Sequence, residues 1–299
     1  MINIQKENLE WLHLTSPRKE DIAELKNKFN IHPIIIEELF NQSDRGKIEI
    51  YEDYIFIVYH MPIYDKETKS SRRGEIDFIV GKKNLITVSY ETLEPIERLE
   101  QKIKKFPEDK LQSVTQLIHL IFKEFNLFAL RELKHVEDKV NFVGSRIFKG
   151  ADKKLLEEIS YIKRDILSLS LIIASEKNII ESLIHDSSHF FGAESKVYFS
   201  DLSSDFMKVH YLLENLKATT ESFSVTISQI FQLKTSEVVR KFSILGFLTF
   251  PLIFYTTVTL NPRIEPTFIY EPSDFWIWFG IITAVVIGLA VIFRKKGWL

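Results

Sequence analysis

The side chains able to do chemistry are scattered, and few stand at a spacing that a reaction needs. His185-Asp186-Ser187-Ser188-His189 sets two imidazoles at i and i+4 on a helix, a spacing that can hold zinc. No third ligand is evident in the sequence, and a polar cluster at a helix end accounts for the same residues. The chain has no P-loop, no G-x-G-x-x-G and no nucleophile elbow, so neither nucleotide-driven work nor acyl transfer is supported, and an enzyme is not expected. The absence of cysteine among 299 residues excludes disulfide and thiolate chemistry. With 39 Lys+Arg against 41 Asp+Glu the net charge is −2, which gives no field for nucleic acid. What remains is a set of hydroxyls in an unusual setting. Ser243, Thr249, Thr256, Thr257 and Thr259 lie inside an otherwise apolar run.

That run, Phe242 to Leu260 (FSILGFLTFPLIFYTTVTL), is followed by a second, Phe275 to Phe293 (FWIWFGIITAVVIGLAVIF). Neither contains a charge, and each is nineteen residues long, enough for a helix to cross a hydrocarbon layer of roughly 30 Å. The link Asn261 to Asp274 holds three prolines and reads as a turn in water. The expected unit is a helical hairpin in a lipid bilayer. Polar groups at membrane depth must face protein or water. The first span carries five hydroxyls and the second only Thr283, so the first is expected to face a pore and the second lipid; hydroxyls bonded to their own backbone in a plain anchor are the alternative.

Lys234, Arg240 and Lys241 precede the first span, and Arg294, Lys295 and Lys296 follow the second. The loop carries Arg263 against Glu265, Glu271 and Asp274. Basic residues stay on the cytoplasmic side, which places both termini there and the loop outside. Trp276, Trp278 and Trp298 stand near the span ends, as interfacial indoles do. The first residues, MINIQKENLEWL, lack a basic segment followed by an apolar one, so no signal peptide is expected. The predicted localisation is the inner (cytoplasmic) membrane with two spans.

The expected fold class is an α+β cytoplasmic domain with long stalk helices and a two-helix C-terminal transmembrane hairpin. The expected domains are 1–107, 108–241 and 242–299. In the first, strands are predicted at Asn8–Leu14, Lys47–Glu52, Tyr54–Met61, Glu75–Val80 and Leu85–Tyr90. A helix opens at Ser16-Pro17 and runs to about Phe29. Short helices cover Ile34–Phe40 and Glu94–Lys105. Beyond Pro107 three long helices are predicted at about 110–148, 152–190 and 196–260, with Gly144, Gly150 and Gly192 near their ends. Phe206, Val209, Leu213, Leu216, Phe223, Ile227 and Ile230 form a three-and-four seam, which suits either a coiled coil between chains or an intramolecular core.

In this order, the sequence resembles the CorA family of divalent-cation channels and transporters. His32-Pro33, Glu37-Glu38, Arg45, Lys47 and Tyr51 resemble the family pattern L-H-P…E-D…R-P-K…Y, with glycine at Gly46 where proline is usual. Thr235-Ser236-Glu237-Val238 resembles T-N-E-V, and Phe250-Pro251-Leu252 resembles M-P-L. The tail Arg294-Lys295-Lys296-Gly297-Trp298-Leu299 resembles the basic family ending. Glu37-Glu38 lies in this fold motif, which favours a structural role over acid–base work.

The resemblance implies a funnel-like homopentamer passing divalent metal cations down the electrochemical gradient, Mg²⁺ first, with Co²⁺, Ni²⁺ or Zn²⁺ as others. It implies a pore lined by Ser236, Val239, Phe242, Ser243, Gly246, Phe250, Ile253 and Thr257. It implies a basic ring of Lys241, Arg294, Lys295 and Lys296. It also implies a regulatory Mg²⁺ at subunit contacts, bound by Asp65 and Asp201. No cofactor is required beyond the permeant and regulatory ion.

The family's Gly-Met-Asn signature is absent. Thr259-Leu260-Asn261-Pro262 stands in its place, and Pro262 restricts Asn261 to extended conformations. Asn261, Glu265, Glu271 and Asp274 are the expected mouth residues, with altered selectivity. Ser236 stands where the family has asparagine, Ile253 where threonine is common, and Val225 where the stalk has aspartate. Val239, Phe242 and Phe250 could gate by dewetting. A ZntB-like Zn²⁺ transporter and a non-transporting pentameric scaffold or sensor are the alternatives.

Overall fold

The computed structural model describes residues 2–6, 9–105, 111–150, 152–260 and 272–298. Packing divides the chain into two units, Met1–Ser224 and Val225–Leu299.

The first unit is built on a six-stranded sheet. Its strands are β1 (Ile2–Lys6), β2 (Leu9–Thr15), β3 (Lys47–Ile50), β4 (Tyr54–Asp65), β5 (Ser70–Gly81) and β6 (Asn84–Ser89). Their order is β1-β2-β6-β5-β4-β3, with only the β2–β6 pair parallel. β4 reads YIFIVYHMPIYD, a continuous apolar run rather than an alternating one, because both of its faces are covered. Ile55, Ile57 and Tyr59 join one core with α3 (Glu94–Lys105) and the start of α4 (Val114–Gly150). Tyr54, Phe56 and Val58 join another under α1 (Lys19–Phe29) and α2 (Pro33–Glu38). In the first core Tyr59 stacks on Phe125 and meets Phe122 edge-on, with ring centroids 5.3 and 4.9 Å apart.

Ser16 does not cap α1. It turns the chain at φ 48°, its hydroxyl donates to the Tyr90 carbonyl at 2.8 Å, and the helix begins two residues beyond Pro17. There the Arg18 N–H donates to the Asp21 carboxylate at 2.8 Å. The β4–β5 hairpin extends well past the predicted strand ends. Ser70 to Gly74 reads as a polar loop in sequence, yet it pairs with Met61 to Asp65. β1 had no prediction; it pairs antiparallel along the outer edge of β2.

The long helices are α4, α5 (Lys153–Phe191) and the 65-residue α6 (Ser195–Thr259). Phe206, Val209, Leu213 and Leu216 are buried within one chain, so this part of the seam is an intramolecular core. Gly144 is not near a helix end. It lies inside α4, where a Cβ would come within 2.8 Å of the Phe223 ring, so glycine here admits a close approach. Among the paired helical residues, the His185 backbone lies in α5; the side chain of His189 lies outside the described residues.

The second unit contains the end of α6 and α7 (Pro272–Lys295). Two stretches have the length and composition of membrane spans, one in α6 and one in Ser273–Lys295. α6 continues through Pro251 to Thr259 without a break.

Candidate functional site

Tyr255 ties the two membrane-length helices together. Its hydroxyl donates to the Phe275 carbonyl at 2.8 Å, and its ring lies 5.5 and 6.4 Å from those of Phe275 and Phe279. One end further along, Phe247 meets Phe293 edge-on at 6.2 Å. Ile244, Leu248 and Tyr255 are the buried residues of this part of α6. At about 100° per residue their mean direction points roughly 160° away from that of the eight expected pore positions. All eight, Ser236, Val239, Phe242, Ser243, Gly246, Phe250, Ile253 and Thr257, are exposed in the single chain. The face that α7 leaves uncovered is therefore the one carrying them.

The hydroxyls do not point at one another. Thr249 donates to the Gly246 carbonyl at 3.1 Å, Thr257 to Ile253 at 2.8 Å and Thr259 to Tyr255 at 2.9 Å. Thr256 reaches Leu252 at 3.1 Å, and Thr283 reaches Phe279 at 2.7 Å. Each of these five threonines thus satisfies its donor on its own helix, the alternative left open by the sequence, and the count of hydroxyls does not by itself mark a pore face.

The basic tail has a physical basis. Gly297 takes φ +67°, its N–H donates to Arg294 O at 3.1 Å, and the Trp298 N–H donates to Phe293 O at 3.0 Å. This is a Schellman cap, closed by stacking of Phe293 on Trp298 at 5.9 Å. The cap ends α7 at the basic cluster. Lys241, Arg294, Lys295 and Lys296 are all exposed, and the Phe247–Phe293 contact puts them at one end of the hairpin. Asp274 lies at the other end in the first turn of α7, where an acid suits the helix N-terminus. Asn261, Glu265 and Glu271 lie outside the described residues.

In the first unit, Asp65 closes the β4–β5 turn. It accepts from the Glu67 N–H at 2.9 Å and the Thr68 hydroxyl at 3.0 Å, which hold its carboxyl below the usual range. Asp201, on α6, accepts from His119 Nε2 at 2.9 Å, with Lys123 Nζ at 3.9 Å; the His119 bond is the main cause of its lowered pKa. Among the described residues the two acids share no hydrogen-bond or ion-pair partner. Among the described residues no group of three or more His, Asp or Glu is poised to hold a metal. Both carboxylates are already engaged by donors of their own chain, Asp65 by Glu67 and Thr68 and Asp201 by His119. The His119 and Lys123 side chains that face Asp201 were missed in the sequence. Gln116, His119 and Lys123 recur at three-and-four spacing on α4, and Gln116 donates to Tyr198 at 3.0 Å.

The His-Pro motif is architectural. His32 accepts from the Ile34 N–H at 3.3 Å ahead of Pro33. Its ring stacks on Tyr51 at 6.5 Å, and Lys47 bridges Glu38 at 2.7 Å and Glu49 at 2.9 Å. These contacts fasten α2 to the sheet edge.

The sequence profile described as CorA-like Mg2+ transporter protein matches residues 6–295. The cobalt/magnesium transport protein CorA of Thermotoga maritima is 25% identical over 97% of this chain and 83% of its own length. The complete structure of the CorA magnesium transporter from Methanocaldococcus jannaschii is similar with a TM-score of 0.83 at 17% identity, covering 100% of this chain and 94% of that one. The ZntB cytoplasmic domain from Vibrio parahaemolyticus gives 0.65 at 12% identity, over 76% of this chain and 89% of its own. At these identities the structural likenesses show the fold.

Proposed function

Because the chain belongs to the CorA-like Mg2+ transporter family, we propose that it passes divalent metal cations across the cytoplasmic membrane, down the electrochemical gradient. The match across residues 6–295, ending in two membrane-length helices, carries this function. In our reading five copies of α6 surround the path, and the face opposite Ile244, Leu248 and Tyr255 lines it. Rings of Val239, Phe242 and Phe250 are apolar enough to gate by dewetting. The basic residues Lys241 and Arg294 to Lys296 ring the cytoplasmic end. Five copies of Glu265, Glu271 and Asp274 concentrate cations at the outer mouth.

Mg²⁺ is the first choice of permeant ion. Discrimination by a Gly-Met-Asn mouth is replaced by whatever Asn261 and the loop acids provide, so selectivity among Mg²⁺, Co²⁺, Ni²⁺ and Zn²⁺ is broader. Mg²⁺ at Asp65 and Asp201 across subunit contacts offsets carboxylate repulsion and favours the closed assembly. The likeness to the ZntB domain keeps Zn²⁺ among the candidate ions, but the full-length CorA likeness is the stronger of the two.

The test is ion flux in proteoliposomes holding purified protein, scanned over Mg²⁺, Co²⁺, Ni²⁺, Zn²⁺, Na⁺ and K⁺ against empty vesicles. Saturable divalent flux is expected. Absence of flux of every ion from an intact oligomer after Mg²⁺ removal would favour a scaffold or sensor instead.

A further inference from the structure

Glu75 and Asp77 stand at i and i+2 on β5, so both point to the face of the sheet that carries Val58 and Val88 under α1 and α2. That is a costly place for two acids. Their side chains are 3% and 2% exposed, and His60, opposite Glu75 on β4, is as deeply buried. Among the described residues neither acid is bridged by lysine or arginine; His60 is the one basic partner of Glu75. His60 Nε2 lies 3.0 Å from the Ser43 carbonyl, which can only accept, so this nitrogen carries a hydrogen and shares it with Glu75 Oε2 at 3.3 Å. Nδ1 is buried without a partner. A charged imidazole would bury an N–H there with no acceptor, so the neutral ring fits.

The donors are too few for two carboxylates. Glu75 accepts the Ser43 N–H through both oxygens, at 3.0 and 2.7 Å. Asp77 Oδ2 accepts the Tyr90 hydroxyl at 2.9 Å, and Oδ1 is buried with no donor. Glu38, on α2, is a third acid near the pair, and its charge is met by Lys47 of β3 at 2.7 Å. One proton on the pair removes both the missing donor and the like charge. Burial, and then the charge of Glu75, push the Asp77 carboxyl well above its ordinary value of 3.8. The same side chains hold the link 41–44 between α2 and β3. They engage the Ser43 N–H and carbonyl, and the Tyr90 hydroxyl also lies 3.3 Å from the Asn41 carbonyl. Arg73, two residues before Glu75, donates to the Asp44 carbonyl at 2.6 Å.

We propose that Glu75 and Asp77 share one proton and, with His60 and Tyr90, form a pH-sensitive latch that fastens the link 41–44 to the sheet. Loss of that proton to solvent leaves two adjacent buried carboxylates, and their repulsion opens the latch. The folded carboxyl holds its proton more tightly than the unfolded one. The latch is therefore complete at low pH and is lost as pH rises through the folded value.

The experiment is tryptic cleavage of the full chain in detergent after Arg45, an exposed residue beside the link, with each rate divided by that for an unfolded reference peptide at the same pH. Cleavage needs the link to open and so reports the open population. In wild type the corrected rate should rise at least about tenfold between about pH 6.5 and 9.5. In Asp77→Asn, whose amide stands in for the protonated acid, it should change less than about twofold. If Asp77→Asn does not fold, Glu75→Gln serves, because it removes the like charge and should flatten the rise to the same extent. A second readout is the infrared carbonyl band of protonated carboxyls. The neutral-pH difference between wild type and whichever variant folds should show one such group, absent from the variant. A flat rate in wild type would overturn the proposal. So would an equal rise in a folded variant, or no difference in the carbonyl band.

Discussion

Glu176 is a fully buried acid on α5 that shares a hydrogen bond with Tyr59. Burial pushes its carboxyl well above the ordinary value of 4.5, so the fold keeps it neutral while the unfolded chain releases the proton. The folded value is the raised one. Stability at this site is complete below the unfolded value and is lost as pH climbs from there through the folded one. Glu176→Gln removes the titration. Its thermal midpoint should match wild type near pH 4 and exceed it at pH 8 by a few degrees. Equal midpoints at pH 8 would contradict a neutral Glu176. Asp65 and Asp201 behave oppositely, being held ionised in the fold by their donors. Mg²⁺ should therefore protect the assembled protein from proteolysis at neutral pH, and Asp65→Ala with Asp201→Ala should abolish the protection. Protection surviving in the double variant would remove both residues from the sensing role. The Asp65 turn is local to Asp65–Thr68, but the pairings of Glu176 with Tyr59 and of Asp201 with His119 were not legible from sequence, because packing alone brings those residues together.

At the scale of elements, α6 does two jobs along one uninterrupted length. Its first half buries Phe206, Val209, Leu213 and Leu216 within one chain, and its last turns bury only Ile244, Leu248 and Tyr255. The remaining face is apolar and exposed in the single chain, which suits contact with other copies, lipid and a pore. The chain has no cysteine, so single replacements report cleanly. With Mg²⁺ removed and the path conducting, Val239→Cys, Phe250→Cys and Thr257→Cys should react with a membrane-impermeant thiol reagent at least about tenfold faster than Ile244→Cys or Leu248→Cys, because only a wetted thiol ionises readily. Labelling at Ile244 as fast as at Val239 would reverse the assignment of faces. Helix extent was readable to within a few residues from the absence of proline and the three-and-four spacing. The β4–β5 hairpin was not, since Ser70 to Gly74 carry a loop's composition and are held as strand by Met61 to Asp65 and by Asp165.

For the whole molecule, two spans per chain cannot enclose a water path, so transport requires assembly. The detergent-purified protein should give a native mass of five chains. A monomer or dimer that still conducts would defeat the five-fold pore. The sequence by itself determined the hairpin, its basic flanks and the order of helices and strands, because charge, length and periodicity are local quantities. It also carried the family, through motifs whose contacts proved short-range, such as the Schellman cap at Gly297 and the cap at His32. Tertiary structure alone decided which half of the α6 seam is an intramolecular core, that Gly144 is a packing contact with Phe223, and that Asp77 is buried with one oxygen lacking a donor. Those outcomes depend on residues far apart in the chain meeting at van der Waals or hydrogen-bond distance, and one-dimensional spacing does not encode that meeting.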